Sequence, residues 1–108
     1  MGNPREWQHL GRVKSRVLTG LPPGIPVREA HLIPVGADGI EVYVFYHHDD
    51  DVRKCCANGA SQTIEEMFMA ELKRSRRGTE FAENVRFEFD SHENVSRNYK
   101  GSYFLRLR

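Results

Sequence analysis

The stretch "VREAHLIPVGADGIEVYVFYHH" (Val27 to His48) constrains the fold more than any other part of the chain. Two apolar segments flank "GADG" (Gly36 to Gly39), whose glycines can supply positive φ, and this is the signature of a β-hairpin. Successive side chains on a strand point to opposite faces. Ile40, Val42, Val44 and Tyr46 therefore share one face, and Glu41, Tyr43, Phe45 and His47 share the other. Pro34, with no amide to donate, predicts an edge position or a bulge for the first strand. A two-stranded hairpin is marginal in water by itself, so other elements must cover its apolar face.

The sequence supplies those elements. Asn3 as N-cap, Pro4 at the first helical position and Glu6 form a capping box. Trp7, Leu10, Val13 and Val17 then recur at helical spacing, which predicts an amphipathic helix over 4–18. Gly20 and "LPPG" (Leu21 to Gly24) end it. "ANGAS" (Ala57 to Ser61) reads as a loop. Thr63 and Glu66 form a second capping box ahead of the stripe Ile64, Met67, Phe68 and Leu72. Glu65 and Glu66 at its start, with Lys73, Arg74, Arg76 and Arg77 at its end, complement the helix dipole, and Gly78 stops it. "VRFEF" (Val85 to Phe89) alternates as a strand. "DSHE" (Asp90 to Glu93) has capping-box form and predicts one or two helical turns before Gly101. "SYFLRLR" reads as a last strand with Tyr103, Leu105 and Leu107 inward.

The expected fold is α+β: one domain over residues 1–108, in the order α-β-β-α-β-(short α)-β. Its sheet is four-stranded and mostly antiparallel, with the two main helices packed on one face. Trp7, Leu10, Val42, Val44, Ile64, Phe68, Leu72, Phe87 and Leu105 are the expected core.

A chain of 108 residues buries roughly two-thirds of its unfolded surface and needs no metal or disulfide to fold. The adjacent Cys55 and Cys56 are no disulfide framework, because a bridge between neighbours is strained. With no apolar run long enough for a bilayer and no secretory leader pattern in "MGNPREWQHLGRVK", the cytoplasm is the expected compartment. Glu6 also spoils a myristoylation signal at Met1-Gly2. The net charge of +1 conceals a polarity. Residues 37–72 carry two basic and eight acidic side chains, between flanks that are both net positive. Such an asymmetry bears on the choice of partner rather than on the fold.

"YHHDDDVRKCC" (Tyr46 to Cys56) gathers residues able to bind metal or move protons. On a strand, however, His47 and His48 point to opposite faces and do not converge on one ion. No H-E-x-x-H, paired C-x-x-C or EF-hand pattern supplies further ligands. The stretch is read as a strand leaving the sheet, its end solvated by charge, with no metal or cofactor. Cys55 or Cys56 as a nucleophile, with His31, His47, His48 or His92 as base, has no sequence context to mark it; no enzymatic activity is expected. "KRSRR" (Lys73 to Arg77) could contact phosphates, but no aromatic residue is interleaved for base stacking. Nucleic-acid binding is therefore the second reading. Two readings of the Glu41, Tyr43, Phe45 face stay open: an exposed protein-binding surface, or a buried one, as a second packed layer or through a swapped assignment of the two faces.

The closing segment "VRFEFDSHENVSRNYKGSYFLRLR" (Val85 to Arg108) resembles the ends of small bacterial immunity proteins encoded beside secreted polymorphic toxins. These include the immunity proteins of contact-dependent growth inhibition systems. The likeness lies in the "FDS-x-E-N-V" strand exit and the "NY-x-GSY" approach. It covers under a quarter of the chain, and the remainder is similar only in size, layout and charge polarity. The resemblance implies a cytoplasmic, non-enzymatic domain that binds and blocks one toxin domain. Many such toxins are nucleases with basic clefts, which an acidic patch would match. Joined to the charge map, this nominates Glu41, Tyr43, Phe45, Asp49, Asp50 and Asp51 as partner-binding residues, with no membrane partner.

Overall fold

The computed structural model describes residues 4–36, 39–74 and 84–108, with side chains from Gln8 onward. The expected Asn3–Glu6 capping box, the Trp7 side chain, Arg76, Arg77 and Gly78 thus lie outside the described residues. Helix α1 (Pro4–Thr19) buries Leu10, Val13 and Val17 on one stripe. It closes where the Gly20 amide bonds the carbonyls of Arg16 and Val17. Strands β1 (Val27–Val35) and β2 (Gly39–Tyr46) pair antiparallel from Val35↔Gly39 through Pro34↔Ile40 to Val27↔Tyr46, with an irregularity between Val27 and Glu29. Gly36 sits at φ +66° in the turn. At Gly39 a Cβ would come 2.8 Å from the Val35 carbonyl oxygen, so the close approach of the two strands excludes a side chain there. Pro34 lies on an edge strand, as its missing donor predicts.

Helices α2 (Asp49–Ala57) and α3 (Ala60–Arg74) then carry the chain back to β3 (Val85–Ser91), which pairs with β2 in parallel from Ile40↔Val85 to Tyr46↔Ser91. Short α4 (His92–Asn98) and α5 (Tyr103–Leu107) follow. Among the described residues the sheet has three strands in the order β1-β2-β3. The class is α+β as expected, but two details differ.

The sheet is mixed rather than mostly antiparallel. Alternation assigns faces without assigning direction, and a parallel neighbour needs the long crossover that α2 and α3 provide. "SYFLRLR" is helical rather than a fourth strand. The Ser102 hydroxyl accepts the Leu105 amide at 3.2 Å and caps a turn that the alternation had concealed. Leu105 is accordingly half-buried beside the sheet, not part of the main core.

Two further boundaries shift. Asp49–Asp51 are the acidic first turn of α2, where the helix dipole favours carboxylates, instead of a frayed strand end. Helix α3 begins at Ala60, whose amide is taken by the Asn58 side chain at 2.9 Å, three residues before the expected Thr63. Its stripe is as read: Ile64, Phe68 and Leu72 are buried, with Met67 packed beside them. Together with Leu10, Val13, Val17, Ala30, Leu32, Ile40, Val42, Val44 and Tyr46 they form one core between the helices and one sheet face. Phe87 packs against it from β3.

Candidate interaction surface

The sheet face away from that core carries the candidate residues. Tyr43 and Glu41 lie on it two positions apart, both half-exposed, and the Tyr43 hydroxyl donates to the Glu41 carboxylate. That bond to an anion is the main reason the phenol is pushed up to about 12, with burial second. In β3, aligned beside them, Glu41↔Arg86 and Tyr43↔Glu88 are register partners. A shallow groove of about 290 Å³ runs between Glu41, Tyr43, Arg86 and Glu88.

Arg106 of α5 fixes one end of this face. Its Nε donates to Asp90 Oδ2 at 2.7 Å and its Nη2 to Glu88 Oε1 at 3.0 Å. The guanidinium carbon also stands 5.9 Å from the Tyr43 ring centre and 5.8 Å from that of Tyr99, within cation–π range.

Phe45 requires a correction. It is 0 % exposed, because the Tyr103 ring covers it edge-on with centroids 4.7 Å apart, so it offers no contact to a partner. Of the two readings left open, the face is a second packed layer around Phe45 and a half-exposed surface around Tyr43. Phe104, 75 % exposed on α5, adds an outward apolar side chain that periodicity had not singled out.

The three aspartates do not act alike. Asp49 Oδ1 accepts the Ser91 hydroxyl and Oδ2 accepts Arg97 Nη2 at 2.9 Å, while its amide donates to Glu93 Oε1 at 2.8 Å. Those two side-chain bonds, Ser91 first, hold its carboxyl below the usual range. Asp51 Oδ2 accepts the His48 amide at 3.0 Å, the return half of a capping box. Asp50 pairs with Arg53 on the surface. Asp49 thus stitches α2 to α4 and to the end of β3, and Asp51 closes the cap of its own helix; Asp50 points outward, as does Glu93, which accepts the Asp49 amide. Glu41 lies roughly 15 Å or more up the strand from them, at about 3.3 Å per residue. The nominated residues therefore form two acidic areas rather than one patch.

Parallel pairing also brings His92 to His47 and His48, around a shallow cleft of about 500 Å³ shared with Glu93, Ser96 and Arg97. Nothing in the local sequence announces this, since the parallel register creates it. The His47 and His48 ring centres are 6.2 Å apart; His48 Nδ1 lies 3.4 Å from Glu93, and His92 Nδ1 meets the Tyr103 hydroxyl at 2.7 Å. Among the described residues, no group of three or more His, Cys, Asp or Glu is placed to hold a metal ion. Cys55 lies in the core, where burial pushes its thiol up and disfavours the thiolate a nucleophile needs; Cys56 is exposed. Of the basic cluster, Arg74 faces Glu71 at 3.6 Å, which weakens the phosphate-binding reading at that residue.

His31 sits between Phe45 and Tyr103, with ring centres 6.0 and 5.2 Å away, and its Nε2 is buried without a hydrogen-bond partner. Burial lowers its pKa from the ordinary 6.5. The fold therefore favours neutral imidazole, whereas the unfolded chain takes the proton first as pH falls. The His31 contribution is fully present above about pH 6.5 and is lost below it. Denaturant midpoints at pH 7.5 and 5.5 should fall on the acid side, by less in His31→Leu than in the parent chain. An equal fall in both would assign the loss to other groups.

Among the described residues, no helix is long and apolar enough to cross a membrane. Comparison with protein-family models, with curated proteins and with solved structures finds no match for this chain.

Proposed function

We propose that this protein is a non-enzymatic immunity protein that binds and blocks a toxin domain carrying a basic surface. The observation that carries the reading is the half-exposed Tyr43 ring flanked by the carboxylates of Glu41 and Glu88 on a face held in place by Arg106. Tyrosine is among the residues that concentrate binding energy at protein interfaces, and carboxylates at its rim steer a basic partner. Asp50 and Glu93 extend the negative field at the far end of the same strands. The resemblance of the closing segment to immunity proteins points the same way, as does the acidic middle third.

The test is surface-based kinetics against the toxin domain encoded by a neighbouring gene, at two ionic strengths. Asp50→Asn together with Glu93→Gln should slow association, most at low salt, because rim charges chiefly steer encounter. Asp49 and Asp51 are left intact, since their bonds support the fold. Tyr43→Ala should raise the dissociation rate about fivefold to thirtyfold, the effect of losing an anchor of ~1–2 kcal/mol. Unchanged kinetics in both variants would move the interface elsewhere, and absence of any toxin partner would remove the proposal. Salt-sensitive binding to bulk RNA or DNA would favour the nucleic-acid reading instead.

A further inference from the structure

We propose that the protein pairs with a second copy of itself through the outer edge of β3, giving a continuous six-stranded sheet about a twofold axis at Phe87. The inference does not depend on the toxin-binding reading, because it rests on the backbone edge of β3, although Glu88 figures in both.

The two edges of the sheet are unequally protected. Along β1 the peptide groups of Ala30, Leu32 and Pro34 turn outward, since Glu29, His31 and Ile33 are the residues that bond to β2 in this register. Pro34 has no donor to offer there, and the strand is irregular between Val27 and Glu29, so this edge is blunted. Along β3 the Ile40 amide bonds the Asn84 carbonyl at 2.9 Å. In a parallel ladder that parity directs residues 84, 86, 88 and 90 toward β2. It leaves the amides and carbonyls of Val85, Phe87 and Phe89 facing outward. Among the described residues nothing bonds them, and the strand contains neither proline nor bulge.

The sequence of this edge is complementary to itself. When "VRFEF" runs antiparallel to its copy with Phe87 on the axis, Val85 faces Phe89, Phe87 faces Phe87 and Phe89 faces Val85. All six are outward-facing residues, so each opposed pair exchanges two backbone hydrogen bonds. Arg86 then falls opposite Glu88 of the copy, twice by symmetry, at the non-hydrogen-bonded positions where Cα atoms come within about 4.5 Å. Among the described residues Arg86 makes no ion pair, and Glu88 engages Arg106 through Oε1 alone, leaving Oε2 free. The half-buried Val85, Phe87 and Phe89 side chains would meet their copies on the helix-covered face, so polar and apolar groups match together.

Sedimentation velocity of the full chain across a concentration series reads this directly. Arg86→Glu and Glu88→Lys each place like charges opposite one another in the homodimer and should weaken it about tenfold or more. Mixed together, the two variants restore opposite charge at both positions. They should then form a heterodimer within about threefold of the parent affinity. Circular dichroism confirms that each variant is folded, and Arg86→Gln, which removes attraction without adding repulsion, should weaken the dimer less. A parent chain that stays monomeric to about millimolar concentration, well beyond the range of a specific interface, would overturn the proposal. So would a dimer indifferent to these charges, or variants that fail to recover on mixing.

Discussion

Phe68→Ala should lower the free energy of unfolding by about 3–5 kcal/mol, the usual cost of a large cavity in a packed core. Phe68 is 0 % exposed, sits on the buried stripe of α3 with Ile64 and Leu72, and has its ring 6.3 Å from that of Phe87. It therefore fastens the helix layer to β3, the strand that lies outside the β1–β2 hairpin. A domain of this size has only roughly 5–15 kcal/mol in total, so the loss removes about a fifth of the stability or more. Urea unfolding should show a lower midpoint with an unchanged slope. A change below about 1 kcal/mol would take Phe68 out of the core.

The second large effect is expected at Arg106. Its guanidinium joins α5 to Asp90 and Glu88 of β3, and its side chain is only 15 % exposed against 18 % for Asp90. Arg106→Ala leaves a half-buried carboxylate without its partner and removes hydrogen bonds to charged groups, at a cost of about 2–3 kcal/mol. The consequence extends past stability. Without that tether Tyr103 is held over Phe45 only by its ring contacts and its bond to His92, and an apolar dye should bind the loosened face. A double-mutant cycle with Asp90→Asn separates the pair from the general loss of packing. Additive losses, with no dye binding, would show that α5 is held by something other than this ion pair.

The parts of the fold that are legible in the sequence share a property: their signal lies within one element. The stripe of Ile64, Phe68 and Leu72 declares its helix and Pro34 its edge, and "DSHE" announces the short helix, although the cap is Ser91, one residue past Asp90. What was not legible depends on how elements meet. Val42 and Phe87 alternate identically whether their strands run parallel or antiparallel. Helix α2 offers only Val52 and Cys55 as an apolar pair behind three aspartates, too little to distinguish it from a solvated strand end. "YFLRL" is too short for period two to exclude a capped helical turn. The candidate site divides in the same way. Alternation placed Glu41, Tyr43 and Phe45 together on the second face, but only the Tyr103 ring, nearly sixty residues further on, decides that Phe45 is covered.

The parallel register of β2 and β3 also orders events in time. Three residues separate the ends of β1 and β2, whereas 38 separate the ends of β2 and β3. By the logarithmic growth of closure entropy with loop length, bringing β3 home costs about 2 kcal/mol more than forming the hairpin. Much of that is recovered only once α2 and α3 have shortened the path by coiling. The hairpin and its helices are thus the part of the molecule able to assemble first. β3, with α4 and α5 behind it, is expected to close the structure last.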